Sequence, residues 1–368
     1  MSSIFKKNLK KYINKKKIYL IAEAGVNHNG KLSIAKKLIF EAKKSGANAI
    51  KFQSFSAENV VTKNAKKAEY QIKNTKNSGT QFDMIKNLEL KNKDFYTLKK
   101  IAKFNNIDFI SSVFDNESLR FVMKDLNLPI IKIPSGEITN YLLLKQINLN
   151  KNYVFLSTGM SNVKEIINAI NCMGNKEVFS IKKNFVKIKN KILFNKIRKK
   201  IFIFHCVTDY PVKDENANLN CIETLSKNLK LNIGYSDHTT GTIAPLIAIS
   251  KGATIIEKHF TLNKKMKGPD HKASLNPDEF KKLSNDIRKY EKMIGDGIKK
   301  IQKCELKNSK LVRKSIVAKI NINKNTNFNL ENLTCKRPAN GLSPFLIKKL
   351  LNKKSKKNYI KDQLIKIE

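Results

Sequence analysis

Tryptophan is absent from this chain of 368 residues, and arginine occurs only at Arg120, Arg198, Arg288, Arg313 and Arg337. Cysteine is nearly as scarce: Cys172, Cys206, Cys221, Cys304 and Cys335 make an odd number with no close pairing. That spacing argues against a disulfide framework or a zinc ribbon. No apolar run approaches the length needed to span a bilayer, and the Lys-rich start lacks the apolar core of a signal peptide. A cytoplasmic location is expected, with no membrane partner. Acidic residues are few, 30 Asp and Glu against 73 Lys and Arg, which gives a formal net charge of +43. Such a charge ordinarily points to nucleic acid. Here the lysines are scattered over the whole length, and the arginines that make bidentate contacts to guanine are largely missing. With Asn and Ile abundant, the bias is that of an AT-rich coding sequence. Loose, salt-sensitive adhesion to polyanions is expected, but no dedicated nucleic-acid partner. The same basic field would attract an anionic substrate.

What is present is a recurring unit. The 41% hydrophobic content suffices for a large core. Short apolar runs begin at Ile18, Ala49, Asp108, Ile130, Tyr153, Ile201, Leu231 and Thr254, and most lead into stretches with helical spacing. Eight strands this apolar on both faces require a parallel sheet covered by helices. The predicted fold is an α/β (β/α)8 TIM barrel over residues 18–290, after a basic arm at 1–17. An open doubly wound sheet is the alternative, weakened by the lack of a Gly-rich turn after the first strand. Asn59 to Asn87 reads as a long polar loop over the mouth of the barrel, and Lys176 to Lys200 as a basic surface insertion. After a linker at 291–310, residues 311–368 show short segments broken by Asn and Pro, the pattern of a small, mostly β domain.

In such a barrel chemistry sits where the strands end. The side chains there are Glu23, Lys51, Gln53, Ser112, Lys132, Ser135, Glu137, Ser157, His205, Ser236, Asp237, His238, Glu257 and His259. A single histidine is more often a structural residue than a ligand. Two that end neighbouring strands, His238 and His259, could instead share a divalent metal, with Asp237 and Glu257 beside them. Any one lysine is more often solvated than not. A lysine inside an apolar strand, as in Ile130-Ile131-Lys132-Ile133, needs a partner, and an anionic ligand is the natural one.

The ordered series Ala22-Glu23-Ala24-Gly25-Val26-Asn27-His28-Asn29-Gly30, Lys51-Phe52-Gln53, Lys132-Ile133-Pro134-Ser135-Gly136-Glu137, Ser236-Asp237-His238-Thr239, Glu257-Lys258-His259-Phe260, Gly268-Pro269-Asp270 and Arg337-Pro338-Ala339-Asn340-Gly341 resembles the sialic acid (N-acetylneuraminate) synthase family, in wording closest to its N,N'-diacetyllegionaminate synthase branch. The resemblance runs from about Ile18 to the C-terminus. It implies a barrel followed by an SAF (antifreeze-like) domain, a domain-swapped homodimer, and condensation of phosphoenolpyruvate (PEP) with an N-acetylated mannose-type sugar to give a nine-carbon acid and phosphate. It further implies His238 and His259 as ligands of Mn2+ or Mg2+, and Lys51, Lys132, Ser135, Ser157 and Ser236 as the PEP site. Glu23, Glu137 and Asp270 become the catalytic carboxylates and sugar contacts, joined by Gln53 and Tyr210, with Arg337 reaching in from the partner subunit. Thr208 stands where some members have an asparagine that helps bind PEP, and Leu311 where others have an aromatic beside the sugar. Either N-acetylmannosamine or a 2,4-diacetamido-trideoxymannose fits the pattern. Outside the family, a different metal-dependent barrel enzyme or a non-enzymatic polyanion- or partner-binding protein would share some of these features.

Overall fold

The computed structural model describes residue 9 and residues 17–367 apart from 76–78, 148, 150–151 and 183–184. The chain divides into two compact units, Met1–Ile294 and Gly295–Glu368. In the first, the apolar runs become strands β1 (Tyr19–Gly25), β2 (Ala49–Ser54), β3 (Asp108–Val113), β4 (Ile130–Ile133) and β5 (Tyr153–Ser157). A hairpin of β6 (Phe179–Lys182) and β7 (Phe185–Ile188) follows, then β8 (Ile201–His205), β9 (Asn232–Asp237) and β10 (Ile255–His259). The hairpin stands apart, and the other eight close into a parallel barrel in the order β1-β10-β9-β8-β5-β4-β3-β2. Closure comes from β1, which pairs with β2 on one side and β10 on the other, with Glu23 opposite both Lys51 and His259.

Alternation along each strand sorts the side chains. One set, Leu20, Ala22, Ile50, Phe52, Ile131, Ile133, Val154, Leu156, Ile203 and Ile256, packs outward against the helices. The other, Tyr19, Ile21, Ala49, Ile110, Ile130, Tyr153, Phe155, Phe202, Phe204 and Ile255, fills the interior, joined by the fully buried Leu9 from the basic arm. Moving two residues on along the same strands, the inward positions become Glu23, Lys51, Ser112, Lys132, Ser157, Ser236 and Glu257. The barrel is therefore apolar where its strands begin and charged where they end. Gly234 is the inward residue of β9 at the Phe204 layer, where an added Cβ would lie 2.8 Å from that ring.

Three expectations need revision. The connection after β2 is not an open loop but carries three short helices, Ala57–Val60, Glu69–Thr75 and Gln81–Lys86. The last begins with a capping box in which Thr80 and Asp83 satisfy each other's backbone N–H groups. The basic insertion is anchored rather than superficial: its hairpin and the helix Lys191–Ile197 bury Val178, Phe179, Phe194 and Ile197 in the outer core. Within the stretch read as a linker, a short helix forms at Leu306–Val312. The basic arm lies mostly outside the described residues.

The second unit pairs β11 (Ser315–Ala318) antiparallel with β12 (Leu333–Lys336). Single bridges from Ile322 to Tyr359 and Asn327 to Lys354 extend it. Its own small core contains Ile316, Ala318, Ile322, Phe328, Leu333, Leu350, Tyr359 and Ile365. Among the described residues, no helix is long and apolar enough to cross a membrane.

Candidate active site

A cavity of about 390 Å3 opens at the C-terminal ends of the strands. Its floor is laid by the inward polar layer. Lys51 Nζ lies 2.9 Å from Glu23 Oε1 and 3.7 Å from Glu257 Oε1, and it donates to Ser112 Oγ at 2.8 Å. Lys132 Nζ lies 3.2 Å from Glu257 Oε2, within 3.3 Å of Ser236 Oγ, and 3.7 Å from the centre of the Phe204 ring. Glu257 is thus the counter-ion that lets two ammonium groups share a buried floor. Although burial opposes its ionisation, Lys132 and Lys51 hold its carboxyl down at about 2. Burial also works against the charge on Lys51, but Glu23 and Glu257 outweigh it and raise that ammonium. At Lys132 burial wins, and the value falls.

Glu23 behaves differently from Glu257. Burial pushes its carboxyl up to about 7, against the pull of Lys51 and with a further push from the Glu257 charge. Its Oε1 accepts from Lys51 and, at 3.2 Å, from Gln53, whereas its buried Oε2 has no hydrogen-bond partner among the described residues. A carboxyl near neutrality with one oxygen free is suited to exchanging a proton with a ligand. Asp270, also in the cavity lining, is raised to about 6 by burial.

The two imidazoles meet as the sequence predicts. The His238 and His259 ring centres are 5.6 Å apart, and the Tyr210 ring packs 4.2 Å from the first and 5.7 Å from the second. The Val207 carbonyl can only accept, so His238 Nδ1, 2.7 Å away, carries the proton, and Nε2 keeps its lone pair. Burial depresses both rings, and at His259 the nearby His238 adds to the fall, which favours the neutral forms that metal ligands require. His259 Nδ1 is buried with no hydrogen-bond partner among the described residues. Two neutral imidazoles with open nitrogens suit a divalent cation. Among the described residues, however, no three His, Cys, Asp or Glu side chains converge tightly enough to hold one alone.

Lys51, Lys132, Ser135, Ser157, Ser236, Glu23, Gln53, Tyr210, Asp270, His238 and His259 all line this one cavity. Four sequence candidates stand apart. His205 does not line the cavity; its Nε2 lies 2.9 Å from the Ala217 carbonyl, and its ring stacks on Tyr235. Asp237 faces away from it, paired with Lys258 and accepting from Tyr235 and Thr239, and so serves the sheet rather than a metal. Glu137 is not among the lining residues and accepts from Asn140 Nδ2 at 2.6 Å, although its neighbour Gly136 lines the cavity. Arg337 belongs to the second unit and is exposed.

Other lining residues escaped the sequence reading. Cys206 is two residues beyond the inward Phe204, and its Sγ lies 3.2 Å from Ser135 Oγ, which in turn accepts from the Gly159 N–H at 3.0 Å. Thr208, which the sequence did single out, has its Oγ1 buried without a hydrogen-bond partner among the described residues, and an added Cβ on Gly159 would come within 2.2 Å of it. Extending the inward alternation past the end of β8 would have found Cys206. Nothing in the sequence marks the apolar residues that the connection after β2 brings to the cavity.

The family model described as NeuB matches residues 38–299. The chain is 49% identical to the N,N'-diacetyllegionaminic acid synthase of Campylobacter jejuni, over 95% of this chain and 99% of that one. It is 39% identical to the protein of the same name from Legionella pneumophila, over 92% and 91%. The crystal structure of an N-acetylneuraminic acid (sialic acid) synthetase from Leptospira borgpetersenii superposes with a TM-score of 0.64 at 32% identity, covering 80% of this chain and 90% of that one. With matches running nearly end to end and a barrel mouth equipped as described, the chain belongs to the NeuB family.

Proposed function

We propose that this protein is a PEP-dependent synthase that joins PEP to an N-acetylated mannose-type sugar, with N,N'-diacetyllegionaminate as the product, and releases phosphate. The observation that carries this reading is the convergence of Lys51, Lys132, His238, His259 and Glu23 on one enclosed cavity. The near full-length likeness to two proteins named as N,N'-diacetyllegionaminic acid synthases favours that product over N-acetylneuraminate.

In this reading Lys51 and Lys132 face the negative charges of PEP as point charges, while Ser135, Ser157 and Ser236 donate hydrogen bonds to its oxygens. The enol carbon of PEP forms a bond to the sugar aldehyde carbon, and the aldehyde oxygen takes up a proton. Water adds to the cationic carbon left on the PEP side, and the resulting adduct expels phosphate to leave a keto acid. A divalent cation held by His238 and His259 would polarise the aldehyde and stabilise the charge developing on its oxygen. Mn2+ suits imidazole ligation better than Mg2+, which prefers an all-oxygen shell. Glu23 Oε2 is the site of proton exchange, since a carboxyl near neutrality both gives and accepts one. Asp270, Gln53 and Tyr210 orient the sugar, and Glu137, next to the cavity-lining Gly136, is the second candidate carboxylate.

The unit Gly295–Glu368 is read as an SAF domain, and the protein as a cytoplasmic, domain-swapped homodimer in which Arg337 approaches the sugar of the partner's barrel. Purified protein offered PEP with either N-acetylmannosamine or 2,4-diacetamido-2,4,6-trideoxymannose tests the function. Mass spectrometry of the product and stoichiometric phosphate are expected with the second sugar. Sugar-independent phosphate release, or none with either sugar, contradicts the reading.

A further inference from the structure

The cavity has two chemistries, and they come from different parts of the chain. Strand ends supply the charged floor, whereas the connection after β2 supplies a side wall of Phe55, Val60, Val61, Met84, Ile85 and Leu88. These side chains are half-buried or buried, not splayed into solvent. Phe55 is fixed by an edge contact with Phe114, ring centres 6.0 Å apart. The segment is also tied across the mouth. Tyr70 packs on Tyr210 at 5.0 Å, and Asn74 Nδ2 donates to the Pro269 carbonyl at 2.7 Å. Of the wall's polar members, Gln71 is occupied within its own segment, accepting from the Ala68 N–H and donating to the Tyr70 hydroxyl.

An acceptor whose aldehyde lies beside His238 and His259 shares this cavity with the wall and can turn its substituents toward it. Apart from Gln81 at the edge of the helix Gln81–Lys86, a hydroxyl there would lose water and meet apolar side chains that cannot hydrogen-bond. A methyl group, whether of an acyl substituent or of a deoxygenated terminal carbon, would be buried favourably.

We infer that this wall sets acceptor specificity by receiving the apolar groups of a deoxy, N-acylated sugar and disfavouring hydroxyls at the same positions. The inference rests on the synthase reading and deepens it. An apolar pocket rejects an added hydroxyl only modestly, by up to about 100-fold. The wild-type preference for 2,4-diacetamido-2,4,6-trideoxymannose over N-acetylmannosamine, as a ratio of kcat/KM values, is therefore expected to be roughly 10- to 100-fold.

The test is that ratio in Val61→Ser and, separately, Ile85→Asn, with phosphate release followed at saturating PEP and circular dichroism confirming an unchanged fold. Each variant is expected to lower the ratio about tenfold, mostly through KM for the deoxy sugar, while KM for PEP moves less than twofold. Because Val61 is the extended residue that follows one helix and Ile85 lies within another, one soluble variant suffices. An active wild type whose ratio is unchanged in a folded variant overturns the inference and leaves the synthase reading standing. A parallel loss with both sugars, or a matching rise in KM for PEP, overturns it as well, since a merely structural wall would behave so. Wild-type protein inert with both sugars overturns the synthase reading, and the inference falls with it.

Discussion

Lys132 shows most clearly how this site trades stability against chemistry. Its ammonium is buried in a strand, and Glu257 and Ser236 compensate it. Removing one partner of such a pair costs roughly 3–5 kcal/mol, because the other charge is left stranded, whereas replacing both with apolar groups is often neutral. Lys51 and Ser236 still serve Glu257 when Lys132 is lost, so Lys132→Met is expected to destabilise at the lower end of that range. The double variant Lys132→Met with Glu257→Leu should recover part of the loss while remaining inactive. Denaturant unfolding of the set checks this, and a double variant less stable than either single one contradicts it. At Glu23 the change to Gln keeps the shape and removes the titration. A fall in kcat of about 100- to 10,000-fold, the usual contribution of a general acid or base, is expected at unchanged thermal stability. Turnover within threefold of wild type would remove Glu23 from the chemistry. The sequence made these residues legible because each stands at an inward position of a strand end. It hid the role of Glu257, since a counter-ion and a metal ligand look alike until the distances are known. Asp237, one position away on the alternation, was misjudged for the same reason.

Among the elements, the turn after β1 is held by two histidines that do not line the cavity. His28 Nδ1 accepts from the Gly30 N–H at 3.1 Å, and the His271 ring bridges Thr261 and Asn29. Burial lowers both to about 4 from 6.5, and at His28 the nearby His271 adds to the fall. A depressed histidine contributes stability that is fully present above its unfolded value, about 6.5, and is lost as pH falls through its folded value. For His28 the full span is about 3 kcal/mol. Glu23 and Asp270 are raised rather than lowered, so they favour the folded state as pH falls and mask part of this slope. The informative quantity is therefore the difference between wild type and His28→Gln. Unfolding free energies should lie furthest apart in slope between pH 6.5 and 4, with the variant flatter; parallel profiles would contradict the assignment. The strands and their helices were readable from apolar runs because both faces of a parallel barrel are buried. The connection after β2 was not. Its three helices are too short for periodicity to register, and its capping box at Thr80 and Asp83 sits in a stretch rich in Lys and Asn.

For the whole molecule, the excess of positive charge should appear in kinetics rather than in the fold. With a net charge of +43 and a Debye length of about 10 Å at 0.1 M salt, capture of anionic PEP is expected to weaken with ionic strength. Between 20 and 200 mM NaCl, kcat/KM for PEP should fall several-fold while kcat stays nearly constant. A salt-independent kcat/KM would mean that the scattered lysines exert no useful field at the mouth. The change of pattern after Tyr290 lies close to the division between the units at Ile294 and Gly295, and the helix Leu306–Val312 begins inside the stretch read as a linker.

The central claim is that His238 and His259, together with Lys51 and Lys132, make one catalytic centre at the barrel mouth. The most direct test is sugar-dependent phosphate release from PEP by chelator-treated protein, with and without added Mn2+, in wild type and His259→Ala. Release is expected to require PEP, sugar and Mn2+ together in wild type, and to fall at least 100-fold in His259→Ala at the same metal concentration. Undiminished release by His259→Ala, or by metal-free wild type, would contradict the claim.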